Sequence, residues 1–101
     1  MSCPVEITLN LIGSKWKVLI LRDLLRGPKR FGELHRGIKG ISQKMLTQHL
    51  REMERDGLVN RKVFAEIPPR VEYSLTETGQ SLKPILEAMH EWGSRYNQSC
   101  N

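Results

Sequence analysis

A mainly α-helical fold with a small β-hairpin, an α+β chain acting as a dimer, is predicted by three features of this 101-residue sequence. Apolar residues recur at helical spacing over most of the chain. One stretch, from Val59 to Leu75, switches to period two around a proline-bearing tip. The final apolar stripe is more than so small a domain is expected to cover by itself.

The first segment carries conflicting signals. Val5, Ile7, Leu9 and Leu11 alternate as in a half-buried strand, yet Pro4 suits the first turn of a helix and Gly13 suits a helix stop. It is read as a short helix from Pro4 to Ile12. Ser14 supplies a cap for the next helix, read from Lys15 to Arg26, in which Trp16, Leu19, Ile20 and Leu24 form the buried stripe and Gly27-Pro28 ends it. After a turn at Lys29-Arg30, the spacing of Phe31, Leu34 and Ile38 gives a short third helix.

Ser42 caps a fourth helix that runs to about Arg55. On a helical wheel Met45, Leu46, Leu50 and Met53 fall on one side, and Lys44, Thr47, Gln48, Arg51 and Arg55 fall opposite. Asp56-Gly57-Leu58 closes it, with Leu58 placed to meet Met53 as in a Schellman ending. Then comes the hairpin, where pairing Val59 with Leu75, Arg61 with Tyr73 and Val63 with Val71 keeps one face consistent. Its tip, Glu66-Ile67-Pro68-Pro69-Arg70, cannot be regular ladder because proline donates no amide hydrogen. Thr76 caps the last helical segment, whose Leu82, Ile85, Leu86, Met89, Trp92 and Tyr96 line up; Pro84 predicts a kink or restart.

Composition narrows the function. With 39% hydrophobic and 27% charged residues the chain is neither disordered nor fibrous. No stretch reaches the roughly 20 apolar residues of a membrane span, and no signal-peptide pattern opens the sequence, so a cytoplasmic protein is expected. Cys3 and Cys100 stand near opposite ends, which is neither a disulfide framework nor a metal-ligand spacing. Between Lys15 and Lys62 there are 13 Lys or Arg against 5 Asp or Glu, whereas the remainder is acidic, 3 against 6. A basic half beside an acidic one is the footprint of a nucleic-acid-binding face joined to an interaction surface. A merely solubilising basic surface is the plainer alternative.

Catalysis lacks parts. His35, His49 and His90 share no metal-ligand spacing, no glycine-rich phosphate loop follows a strand, and no Ser-His-acid signature is present. Neither an enzyme nor a cofactor is expected. His49 is read as a packing residue, and Trp16 and Phe31 as core.

Four helices, a hairpin and a final helix make a winged helix-turn-helix. The chain resembles the HxlR-type family of winged-helix regulators over nearly its whole length. The resemblance lies in Cys3-Pro4-Val5, Leu11-Ile12-Gly13-Ser14-Lys15-Trp16, Gly27-Pro28-Lys29-Arg30-Phe31, Gly40-Ile41-Ser42-Gln43-Lys44-Met45-Leu46-Thr47, Asp56-Gly57-Leu58-Val59, and Pro68-Pro69-Arg70-Val71-Glu72-Tyr73-Ser74-Leu75-Thr76. It implies a homodimer joined through the first and last helices, with the fourth helix of each subunit in a major groove of double-stranded DNA and each wing beside it.

Residues 1–101 are therefore read as one DNA-binding domain with its own dimerisation helices, a transcriptional regulator with repression as the expected sense and a near-palindromic operator. Gln43, Lys44, Thr47, Gln48 and Arg51, with Arg55, are the expected groove-facing residues. Lys15, Lys29 and Arg30 are expected phosphate anchors, and Arg70 with Lys62 the wing contacts. Val5, Leu9, Met89, Trp92 and Tyr96 are expected at the dimer interface. Cys3, at the mouth of the first helix, is expected to be a reactive thiol. Relatives that sense oxidants or electrophiles through a cysteine at this place imply redox sensing, with Cys100 of the other subunit as a disulfide partner. The competing reading is a winged helix that binds protein instead of DNA.

Overall fold

The computed structural model describes residues 3–100, with only the backbone of Ser99 and Cys100. The elements are α1 (Pro4–Ile12), α2 (Lys15–Leu24), β1 (Lys29–Arg30), α3 (Phe31–Gly37), α4 (Gln43–Arg55), β2 (Val59–Phe64), β3 (Arg70–Leu75), α5 (Glu77–Gln80) and α6 (Lys83–Cys100). The first segment is helical, as its proline and glycine predict, and not the strand its alternation suggests. Ser14 accepts hydrogen bonds from the amides of Trp16 and Lys17, and Ser42 from that of Met45, so both serines satisfy amides that a helix start leaves unpaired.

Helix α2 is shorter than its sequence suggests, ending at Leu24 instead of Arg26. The amide of Arg26 turns back to Asp23 O at 3.2 Å and that of Gly27 to Leu24 O at 3.1 Å. These three-residue bonds tighten the last turn and end the regular helix before Gly27. Lys29 and Arg30 are not a turn. They form a strand that pairs with Tyr73 and Glu72, giving a three-stranded antiparallel sheet in the order β1-β3-β2. Two residues are too few to show period two, so this edge strand left no mark in the sequence pattern. The predicted hairpin register is the observed one, from Val59 opposite Leu75 to Val63 opposite Val71.

The core gathers Ile12, Ile20, Leu21 and Leu24 with Leu34, Ile38 and Ile41, and against them the inner face of α4. Leu46, Leu50 and Met53 on that face are fully buried. Met45, expected among them, is exposed. It sits about 100° around the helix from Leu46, off the centre of the apolar arc. His49 is buried here, as its packing assignment requires.

A double closure follows α4. The amide of Leu58 donates to Met53 O and that of Gly57 to Glu54 O, the two bonds of a Schellman ending, and Gly57 takes a positive φ of 79°. Thr76 then locks the far end of the hairpin to this turn. Its hydroxyl donates to Gly57 O at 2.6 Å and accepts from the amide of Gly79, and its own amide donates to Leu58 O. Pro84 lies in the first turn of α6, so the expected interruption is a restart after α5.

Gly79 is pressed against this lock: a Cβ there would stand 2.3 Å from Leu58 O. A helical glycine replaced by alanine ordinarily gains about 0.5–1 kcal/mol of stability. Gly79→Ala should instead lose about 1–3 kcal/mol, because the obstacle is backbone and cannot rotate away. Denaturant unfolding of the variant checks the sign.

Candidate nucleic-acid interface

Burial of one face of α4 turns the opposite face outward. An open groove runs along it, lined by Phe31, Gln43, Lys44, Thr47, Gln48, Arg51 and Glu52. A second hollow lies between α4 and the sheet, lined by Thr47, Leu50, Arg51, Glu54, Arg61 and Tyr73. Arg51 and Thr47 border both. The structure thus brings together Gln43, Lys44, Thr47, Gln48 and Arg51. Arg55, at the helix end, stands outside both hollows beside Asp56, its Nε 3.3 Å from the carboxylate.

Within the groove the polar groups differ in freedom. Lys44 and Arg51 form no ion pair among the described residues. Thr47 Oγ1 donates to Gln43 O at 2.9 Å, which fixes its side chain against the helix. Glu52 is held from behind. Its Oε1 lies 2.7 Å from Nζ of Lys17, a buried lysine on α2, and its Oε2 accepts from Gln48 Nε2 at 3.4 Å. The Lys17 hydrogen bond, helped by Gln48, keeps the Glu52 carboxyl below the usual glutamate range, so it is a carboxylate at neutral pH. Nδ1 of His49 stands 3.7 Å from the same Oε1.

The other expected contacts are more scattered. Lys15 reaches over the Trp16 ring, 4.6 Å from its centroid, and borders a groove at α1 and α6, away from α4. Lys29 lines a hollow with Asp23, Arg26, Glu33, Arg36 and Gly37, which shares no residue with either α4 hollow. Arg30 is exposed, and its amide donates to Glu33 at 2.9 Å. That bond, foremost, holds the Glu33 carboxyl below its ordinary value.

On the wing, Arg70 is not a free cation. Its guanidinium lies within 3.3 Å of Glu72 and 3.4 Å of Glu66, stacked 4.0 Å above the Phe64 ring. Lys62 reaches over the same ring from 4.8 Å. Arg61, which the sequence pattern used only to set register, faces the α4 side of the sheet. Its position opposite Tyr73 was the available signal.

A separate apolar surface lies at the chain ends. Val5, Leu9, Ile85 and Met89 border one groove with Ile12 and Val18. Farther along α6, Trp92 and Tyr96 stack with ring centroids 5.2 Å apart, and they are 68% and 58% exposed. Cys3 is exposed at the N-cap of α1, with Cys3 O accepting from Ile7 N. The side chain of Cys100, the other expected redox residue, lies outside the described residues.

The HxlR-like helix-turn-helix family model matches residues 11–101. The chain belongs to the HxlR family. It is 56% identical over 95 residues to the HTH-type transcriptional regulator YkvN of Bacillus subtilis, covering 94% of this chain and 80% of that protein. To an HTH-type transcriptional regulator of Methanothermobacter thermautotrophicus it is 55% identical over 94 residues, 93% of this chain and 72% of the relative. Among solved structures, the redox regulator HypR in its reduced form superposes with a TM-score of 0.92 at 48% identity, covering 97% of each chain. HypR in its oxidised form gives 0.88 at 52% identity, over 92% of this chain and 96% of that one. This HxlR chain is thus a winged helix-turn-helix, DNA-binding transcriptional regulator. Among its described residues no helix is long and apolar enough to cross a membrane.

Proposed function

We propose that residues 1–101 work as one unit: a homodimer of winged helices, acting in the cytoplasm, that reads a near-palindromic operator and represses. The observation that carries the reading is the groove on α4, where two unpaired cations and two amide side chains surround an outward helix face. Lys44 and Arg51 have the charge and donors for phosphate or guanine, and Gln43 and Gln48 the paired donor and acceptor that adenine requires. Arg55, at the end of α4, and Lys15, Lys29 and Arg30, farther from it, are the proposed phosphate anchors. Arg61 and Lys62 are the wing cations best disposed to reach DNA, whereas Arg70 must first give up Glu66 or Glu72. A winged helix specialised for protein contacts has no need of unpaired cations at this face, and no enzymatic role is proposed.

The dimer reading rests on the chain ends. Monomeric proteins rarely expose contiguous apolar surface of this kind. Val5, Leu9, Met89, Trp92 and Tyr96 fit a second copy of themselves, because a two-fold interface needs a self-complementary patch. A two-fold axis there sets two α4 helices toward half-sites about 34 Å apart.

Redox control completes the proposal. HypR is a redox regulator solved in reduced and oxidised forms. Cys3 lies exposed at the start of α1, one of the two helices assigned to the interface. Oxidation or alkylation of this thiol, by an oxidant or a small electrophile, would change the seating of α1 on the partner and with it the half-site spacing. Cys100 of the partner is the proposed disulfide mate.

Affinity for duplex DNA should fall steeply with salt, and Arg51→Ala should weaken specific binding by about 1–3 kcal/mol. Unchanged operator affinity in that variant would contradict the groove assignment. Sedimentation at micromolar concentration should give a dimer that Trp92→Ala weakens; a monomer in both proteins removes the interface. Diamide should release DNA from the native chain and not from Cys3→Ser, as read by electrophoretic mobility, and equal responses would exclude Cys3 as the sensor.

A further inference from the structure

Gln48 is a base-reading candidate whose exposed amide has a partner that favours one direction. Its Nε2 donates to Glu52 Oε2, while Glu52 Oε1 is held at 2.7 Å by Lys17, a lysine only 8% exposed, reaching from α2. An ionised carboxylate only accepts hydrogen bonds. Only the NH2 group of Gln48 can therefore satisfy Glu52; a flipped amide would set its carbonyl oxygen against the carboxylate oxygen. The direction of the amide follows from this chemistry.

An unrestrained glutamine is ambiguous in the major groove. It can offer its oxygen to the exocyclic amino group of adenine or cytosine, or flip and donate to the O6 of guanine or the O4 of thymine. With one amide hydrogen committed to Glu52, the carbonyl oxygen and the second hydrogen remain. That pair matches N6 and N7 of adenine together, whereas against guanine, whose O6 and N7 both accept, one hydrogen serves a single acceptor and the amide oxygen is left facing the other.

We propose that the Lys17–Glu52–Gln48 relay sets base specificity, holding Gln48 so that its oxygen and its remaining hydrogen together read adenine in preference to guanine. Glu52 is a positioning residue here, and Lys17 acts through it. The anchor is on α2, so orientation of a groove-facing side chain is tied to the packing of α4 on the core. Neither Lys17 nor Glu52 needs to touch DNA.

This inference rests on the proposed use of the α4 groove, and the test separates the two. The full-length protein is used to select from a library of random duplexes, and bound DNA is sequenced to give preference at each position. The native chain should show one position per half-site where adenine is favoured about tenfold over guanine, and where Gln48→Ala abolishes that preference. Glu52→Gln, whose oxygen Lys17 would hold so that its NH2 faces Gln48, should turn the Gln48 amide over, reduce the preference at that same position to within about twofold or reverse it, and leave other positions intact. Because this variant leaves the buried Lys17 charge uncompensated, Lys17→Met with Glu52→Gln provides a second test that removes that charge and frees the new amide to turn. In a Gln48→Ala background the same changes should do nothing at that position.

If Gln48→Ala leaves every preference unaltered, the groove assignment of Gln48 fails and the relay with it. If Gln48→Ala alters one position but neither Glu52→Gln nor the double variant does, the groove reading stands and the relay is wrong. Guanine preferred at the Gln48-dependent position of the native selection also overturns it.

Discussion

The burial of one face of α4 is the constraint on which the rest of the molecule depends. Leu46, Leu50 and Met53 have no exposure worth counting, and they press on α2 and the root of the hairpin. Truncating any one of such residues to alanine typically costs about 2–5 kcal/mol, a large part of a small domain's stability. A helix fixed this firmly on one side has no freedom to rotate, and its polar side becomes a fixed surface. The double closure at Gly57, Leu58 and Thr76 then sets the angle at which the wing leaves the helix.

Two surfaces result, and they differ in chemistry. Around α4 Lys44 and Arg51 make no ion pair among the described residues; around α1 and α6 the surface is apolar and aromatic. On the proposed reading the first meets DNA and the second meets another copy. The uneven distribution of charge along the sequence is this division written in one dimension. The wing is less basic than its composition implies, since Arg70 spends its charge on Glu66 and Glu72. Its cations are thus divided between Arg70, neutralised near the tip, and Arg61 and Lys62, which make no ion pair among the described residues.

Most of the fold was legible in the sequence because the helices have strong caps and periodic stripes. Ser14, Ser42 and Thr76 each cap as read, Gly57 closes α4, and the alternation of β2 and β3 specifies their register. What escaped was short or non-local. The strand β1 is two residues long and takes its identity from β3, more than forty positions away. The pairing of Lys17 with Glu52 joins two helices, so no local pattern could announce it. In the candidate site the wheel placed Lys44, Thr47, Gln48 and Arg51 on the groove but also Arg55, which stands outside it, and left out Glu52. The hold of Lys17 on Glu52 comes from another helix and that of Glu66 on Arg70 from the hairpin tip, while the Gln48–Glu52 pair is a local i,i+4 contact. The place of Lys15 was likewise not legible in the sequence: the fold sets it beside the α1–α6 groove, away from α4.

The central claim is that the outward face of α4 is where DNA sits, and mapping backbone amide shifts by NMR during titration with a short duplex tests it most directly. Amides of Gln43 through Arg51, with those of Arg61 and Lys62 at the wing, should shift together and at low salt, while those of α6 around Trp92 remain in place. Shifts concentrated on α1 and α6, with α4 unmoved at saturating DNA, would contradict the account.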